Sequence, residues 1–78
     1  MQKIQKEIFR IVSDVFGEKL ENVTGDMTWE SQNIDSFALV ELIVAIQDHF
    51  KIHFESSELN ELSSVQDLVD VVQGKLNT

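Results

Sequence analysis

The sequence predicts an all-α fold: a small four-helix bundle of three main helices and a short third one, with a long loop between the first and second. Three observations lead there. Apolar residues recur at three- and four-residue spacing in three separate stretches. Pro is 0, so no proline ring interrupts a helix. Cys is 0, so neither a disulfide framework nor a cysteine zinc site staples the chain, and its stability must come from packing. With 78 residues, 42% of them hydrophobic, the chain is expected to form one domain, 1–78. A domain of this size buries about 60–65% of its unfolded surface, too little to wall off a large active site.

The elements follow in order. Ile4, Ile8, Ile11 and Val15 recur at helical spacing with Phe9, Val12 and Phe16 beside them, and Gly17 follows where a left-handed helix end is tolerated. Glu18 to Ile34 lacks a sustained period and carries Asn22, Thr24, Gly25, Asp26, Ser31 and Asn33, so it reads as one long ordered loop pinned by Leu20, Val23, Met27, Trp29 and Ile34. A loop of this length in so small a domain is more often functional than accidental. Asp35 caps the next helix, expected from Ser36 to about Phe50. Ser56 or Ser57 starts a short segment carrying Leu59 and Leu62. Ser63 with Gln66, or Ser64 with Asp67, forms a capping box for the last helix, whose stripe is Val65, Leu68, Val69, Val72 and Leu76.

The helix from Ser36 carries two apolar stripes. Leu39, Leu42, Ile43, Ile46 and Phe50 have the spacing of a core face. Phe37, Val40 and Val44 lie on roughly the opposite side, interleaved with Glu41 and Asp48. Packing on all sides would bury those two carboxylates unpaired, at a cost of several kcal/mol. The second stripe is therefore expected to be an exposed apolar and acidic recognition face.

Charge narrows the partners. Fourteen acidic residues against six basic ones give a formal net charge of −8, which repels nucleic-acid phosphates and anionic membrane surfaces and favours basic protein partners. The longest clean apolar run, Leu42 to Ile46, is far too short to span a bilayer, and the first seven residues lack a signal-type apolar stretch. A cytoplasmic monomer is expected. A nucleophilic enzyme site is not: Ser36 and His49 on one helix stand roughly 20 Å apart along its axis, beyond triad reach. His49 and His53 have metal-like spacing only on a continuous helix, and no third ligand is evident, so no metal site is expected.

Ser36 itself opens a helix directly after the long loop. The free N–H groups and positive dipole end there would stabilise a phosphate ester on its hydroxyl. Taken alone, Asp-Ser before a helix is more often ordinary capping.

The combination is more specific. Asp35-Ser36-Phe37, then Val40-Glu41-Leu42, Phe50 near the helix end, and Ser64-Val65-Gln66-Asp67-Leu68 at the last helix together resemble the acyl and peptidyl carrier protein family over nearly the whole chain. The resemblance implies a 4'-phosphopantetheine arm on Ser36, transferred from coenzyme A by a phosphopantetheinyl transferase (a holo-acyl carrier protein synthase) that uses magnesium, with Asp35 assisting at that enzyme's site. It implies a non-catalytic carrier that presents an acyl or aminoacyl thioester to acyl-transferring or acyl-modifying enzymes with basic docking patches. These partners would contact Phe37, Val40, Glu41, Val44 and Asp48, with Glu55 and Glu58 beyond the helix. Phe37 stands where the family usually has Leu, and Ala38, Gln47 and His49 where acids are common. Ser31-Gln32-Asn33 replaces the usual Asp-Leu-Gly, with Asn33 able to take the left-handed geometry of Gly. These departures make a specialised carrier at least as fitting as a housekeeping role in fatty acid biosynthesis. The rival from another class is an unmodified acidic helical interaction module, which shares every packing feature.

Overall fold

The computed structural model describes residues 2–77; Met1 and Thr78, included in the expected single domain, lie outside the described residues. Four α-helices follow in order: α1 Gln2–Phe16, α2 Ser36–Phe50, α3 Ser56–Glu61 and α4 Val65–Leu76. The described residues contain no strand, only an isolated antiparallel bridge between Thr28 and Ser64.

Each helix boundary has a local cause. Gly17 at φ 67° ends α1, and Glu18 N–H bonds to Ser13 O at 3.0 Å in the Schellman pattern, while the Ser13 hydroxyl donates to Glu18 O. Lys51, left-handed at φ 58°, ends α2, so His49 and His53 do not share a helix. α3 starts at Ser56, as expected, with Glu55 as its cap: Glu55 and Glu58 form a reciprocal box, and Leu62 lies just past the helix as its C-cap. For α4 the Ser64–Asp67 box is the one formed, and Ser63 adds its own N–H and hydroxyl to Asp67 Oδ2.

The core is where the stripes meet. Ile8 and Val12 of α1, Leu42 and Ile46 of α2, and Leu68 and Val72 of α4 are fully buried, and α1 packs on both α2 and α4. The Cα radius of gyration is 11.4 Å, close to the value of about 11.5 Å expected for a folded chain of this length.

The loop before α2 is ordered, as expected, but not in every detail. Val23, Met27 and Trp29 are buried and Ile34 is half-buried. Leu20 is 46% exposed: it opens a 3₁₀ turn, Leu20–Asn22, that buries none of its residues, so it does not pin the loop. At the other end, Leu76 is 39% exposed because the last turn of α4 runs past the core. The loop is held by backbone bonds to the α3–α4 connection and the first turn of α4: Trp29 N–H to Ser63 O, Val65 N–H to Met27 O and Gln66 N–H to Gly25 O. The Trp29 indole N–H donates to Leu62 O at 3.2 Å, and its ring stands edge-on to Phe16 with centroids 6.1 Å apart.

Candidate attachment and docking site

The segment Thr28–Asp35 delivers the chain to the start of α2. Thr28 and Ser31 bond reciprocally, the Ser31 hydroxyl also donating to Thr28 O at 3.0 Å. Asn33 takes φ 56°, the geometry its side chain tolerates, and Ile34 N–H closes the turn on Trp29 O at 2.9 Å. Gln32 is exposed, so the turn rests on Ser31, Asn33 and Trp29. Asp35 then sits in extended geometry with Oδ1 accepting Ala38 N–H at 2.9 Å.

Ser36 is the first residue of α2 and is exposed. The N–H groups of the first helical turn have no acceptor within the helix. Ser36, Phe37 and Val40 line one shallow surface depression. Phe37 is 78% exposed, Val40 58% and Val44 55%, while Leu42, Ile43 and Ile46 are buried. Of the two stripes, the one through Leu42 is therefore core and the one through Phe37 is surface. Glu41 and Asp48 are exposed beside it, two helical turns or roughly 10 Å apart along the axis.

Glu55 and Glu58 are placed differently. Glu55 caps α3 and is exposed. Glu58 turns inward: its Oε1 accepts Glu55 N–H at 2.7 Å and Lys75 Nζ at 2.9 Å, and these bonds, the backbone one foremost, hold its carboxyl below the ordinary glutamate pKa. Lys75 also lies 5.5 Å from the Phe54 ring centroid. Sequence reasoning did not find this latch, nor the one at Gln47, whose Oε1 accepts Phe54 N–H at 2.9 Å. Neither has a local signature, since the partners are 17 and 7 residues apart. His49 sits at the far end of α2 from Ser36, with Nε2 2.9 Å from Glu7 Oε1 on α1.

Comparison with known proteins bears on this geometry. The family model described as the phosphopantetheine attachment site matches residues 6–72. The chain belongs to the acyl carrier protein family. It is 34% identical over 74 residues to the acyl carrier protein of Buchnera aphidicola subsp. Baizongia pistaciae, covering 94% of this chain and 95% of that protein. It is 29% identical over 76 residues to that of Buchnera aphidicola subsp. Schizaphis graminum, covering 96% of each. It is 28% identical over 78 residues to that of Coprothermobacter proteolyticus, covering 99% of this chain and 95% of that one.

Membership implies a non-catalytic carrier with covalently attached 4'-phosphopantetheine. The start of α2 fits such a group: an exposed hydroxyl, open helix N–H groups that favour a phosphodiester, and a carboxylate already engaged as the cap. No described helix is long and apolar enough to cross a membrane.

Proposed function

We propose that residues 1–78 form one cytoplasmic carrier domain whose arm is attached at Ser36 and delivers an acyl or aminoacyl thioester to partner enzymes through the exposed face of α2. The observation that carries this reading is the position of Ser36, solvent-facing at the first turn of α2 directly after the Asp35 cap. In loading, the Ser36 oxygen bonds to the phosphorus bearing the pantetheine of coenzyme A, the diphosphate P–O bond breaks, adenosine 3',5'-bisphosphate leaves, and the hydroxyl proton is taken up by a base. Asp35 is the assisting carboxylate at the transferase, since only one of its oxygens is committed to the cap.

Phe37, Val40 and Val44 supply the apolar contact, Glu41 and Asp48 the charge that a basic docking patch recognises, and Glu55 an outlying acid beyond the helix. Glu58 contributes by holding α3 in place, through its bonds to Glu55 and Lys75. Of the four positions that depart from the family pattern, Phe37 lies on this face and Ala38, Gln47 and His49 leave α2 with fewer acids, and this favours a pathway-specific carrier.

Intact mass after incubation with coenzyme A, magnesium and a phosphopantetheinyl transferase tests the attachment. The wild type should gain one arm and Ser36→Ala none. An unmodified interaction module would gain nothing in either case.

A further inference from the structure

Three of the six Lys and Arg residues of this acidic chain, Lys3, Lys6 and Arg10, share one exposed face of α1. They line a groove of about 630 Å³ together with Glu7, Ile11, Asp14 and His49. Among the described residues none of the three cations is ion-paired, whereas Glu7 is engaged by His49.

This face breaks two local rules of helix design. The first turn of α1 holds no acid, and Lys3 and Lys6 lie near the positive end of the helix dipole. Lys6 and Arg10 are like charges at i, i+4, which destabilises a helix. The offsetting charges on this face are Glu7, four residues after Lys3, and Asp14, four after Arg10, and Glu7 is already engaged by His49.

Position gives the face a partner. Going round α2 from Asp48 at about 100° per residue, the next side chains are Glu41, then Ala45 and Ala38, and then His49, which touches Glu7 on α1. Past Ala45 and Ala38, the acidic edge of α2 is thus followed by the His49–Glu7 pair and then by the cationic face of α1. We propose that the two form one two-signed docking surface, in which Lys3, Lys6 and Arg10 receive an acidic segment that flanks the basic docking patch of a partner protein. Lys3 and Arg10 span roughly 10 Å along the helix, a length that suits successive carboxylates of an extended segment better than a single compact anion. The cations are exposed, so they add selectivity and orientation at encounter. A partner presenting only positive charge would be repelled from this side.

The proposal rests on the docking role of α2, and the experiment separates the two. The full chain, isotope-labelled, is titrated in turn with hexaglutamate, hexalysine and inorganic pyrophosphate at low and high ionic strength, with amide shifts followed by NMR. Hexaglutamate should move the amides of Lys3, Lys6, Arg10 and His49 in a salt-sensitive way. Lys6→Glu/Arg10→Glu should weaken that binding about tenfold, the size of losing two exposed charge pairs, without changing helix content. Hexalysine should still move Glu41 and Asp48 in that variant; failure of this arm alone overturns the α2 reading. The α1 proposal is overturned if hexaglutamate moves nothing, if it moves Lys19, Lys51 and Lys75 as strongly, or if pyrophosphate moves the α1 residues at lower concentration, which would make the groove a small-anion site.

Discussion

Lys75 on α4 donates to Glu58 on α3 at 2.9 Å through the same carboxylate oxygen that accepts the Glu55 N–H, so one atom both caps α3 and ties it to α4. The tie matters because α3 buries none of its own residues and has only Leu59 packed against the core. Its place in the bundle depends on flanking Phe54 and Leu62 and on this bond.

Acid should loosen α3 and the start of α4 together. Glu58 and Asp67 both have lowered pKa, Glu58 through Glu55 N–H and then Lys75, Asp67 through the Ser63 N–H and hydroxyl and then Ser64. A carboxylate lowered in the folded state stabilises it above the unfolded pKa, about 4.3 for Glu and 3.9 for Asp, and that stability is lost as pH falls through the lower folded value. Urea unfolding followed from neutral pH downward should show the loss beginning near pH 5. Glu58→Gln with Asp67→Asn should flatten the slope; an unchanged slope would place the acid sensitivity in other carboxylates.

Asp35 and Ser36 should separate stability from loading. Asp35→Ala removes the Ala38 N–H acceptor and should cost about 1 kcal/mol by denaturant unfolding. Ser36→Ala should leave stability within roughly 0.5 kcal/mol of wild type while abolishing the mass gain. A large stability loss in Ser36→Ala would show the hydroxyl to be structural.

The two faces of α2 should differ in the same assay. Leu42→Ala or Ile46→Ala removes a fully buried side chain and should destabilise by about 2–5 kcal/mol. Val44→Ala, more than half exposed, should change stability by no more than about 0.5 kcal/mol.

Charge on α2 should set the rate of encounter with a basic transferase. Glu41→Lys or Asp48→Lys should slow loading and weaken its dependence on ionic strength, with helix content unchanged by circular dichroism. Phe37→Ala removes an apolar anchor beside Ser36 and should raise the dissociation rate more than it lowers association. Loading indifferent to both charge reversal and salt would move recognition to the loop before Asp35.

Much of this was legible in the sequence because it is local. Helical spacing placed the stripes of α1, α2 and α4, the Asp35 and Ser64 caps were visible as side chains next to the N–H groups they serve, and Gly17 and Asn33 marked the left-handed turns. The start of α3 at Ser56 was legible too, but its cap was not, because glutamate is not among the preferred capping residues. It succeeds here because Glu58 answers it and Lys75 secures Glu58.

By itself, the sequence determined the helical class, the order of the elements and the angular separation of the two stripes on α2, since these depend on residues within a turn or two of each other. The cost of burying Glu41 and Asp48 had already pointed to a surface position for the Phe37 stripe; only the tertiary structure decided that Leu20 points outward and that the Trp29 segment is stitched to the α3–α4 connection through Leu62 and Ser63. The tie of His49 to Glu7, 42 residues away, belongs with these. Such pairings depend on how the chain reverses between helices and on how much apolar area each packing buries, and no window of neighbouring residues contains that information.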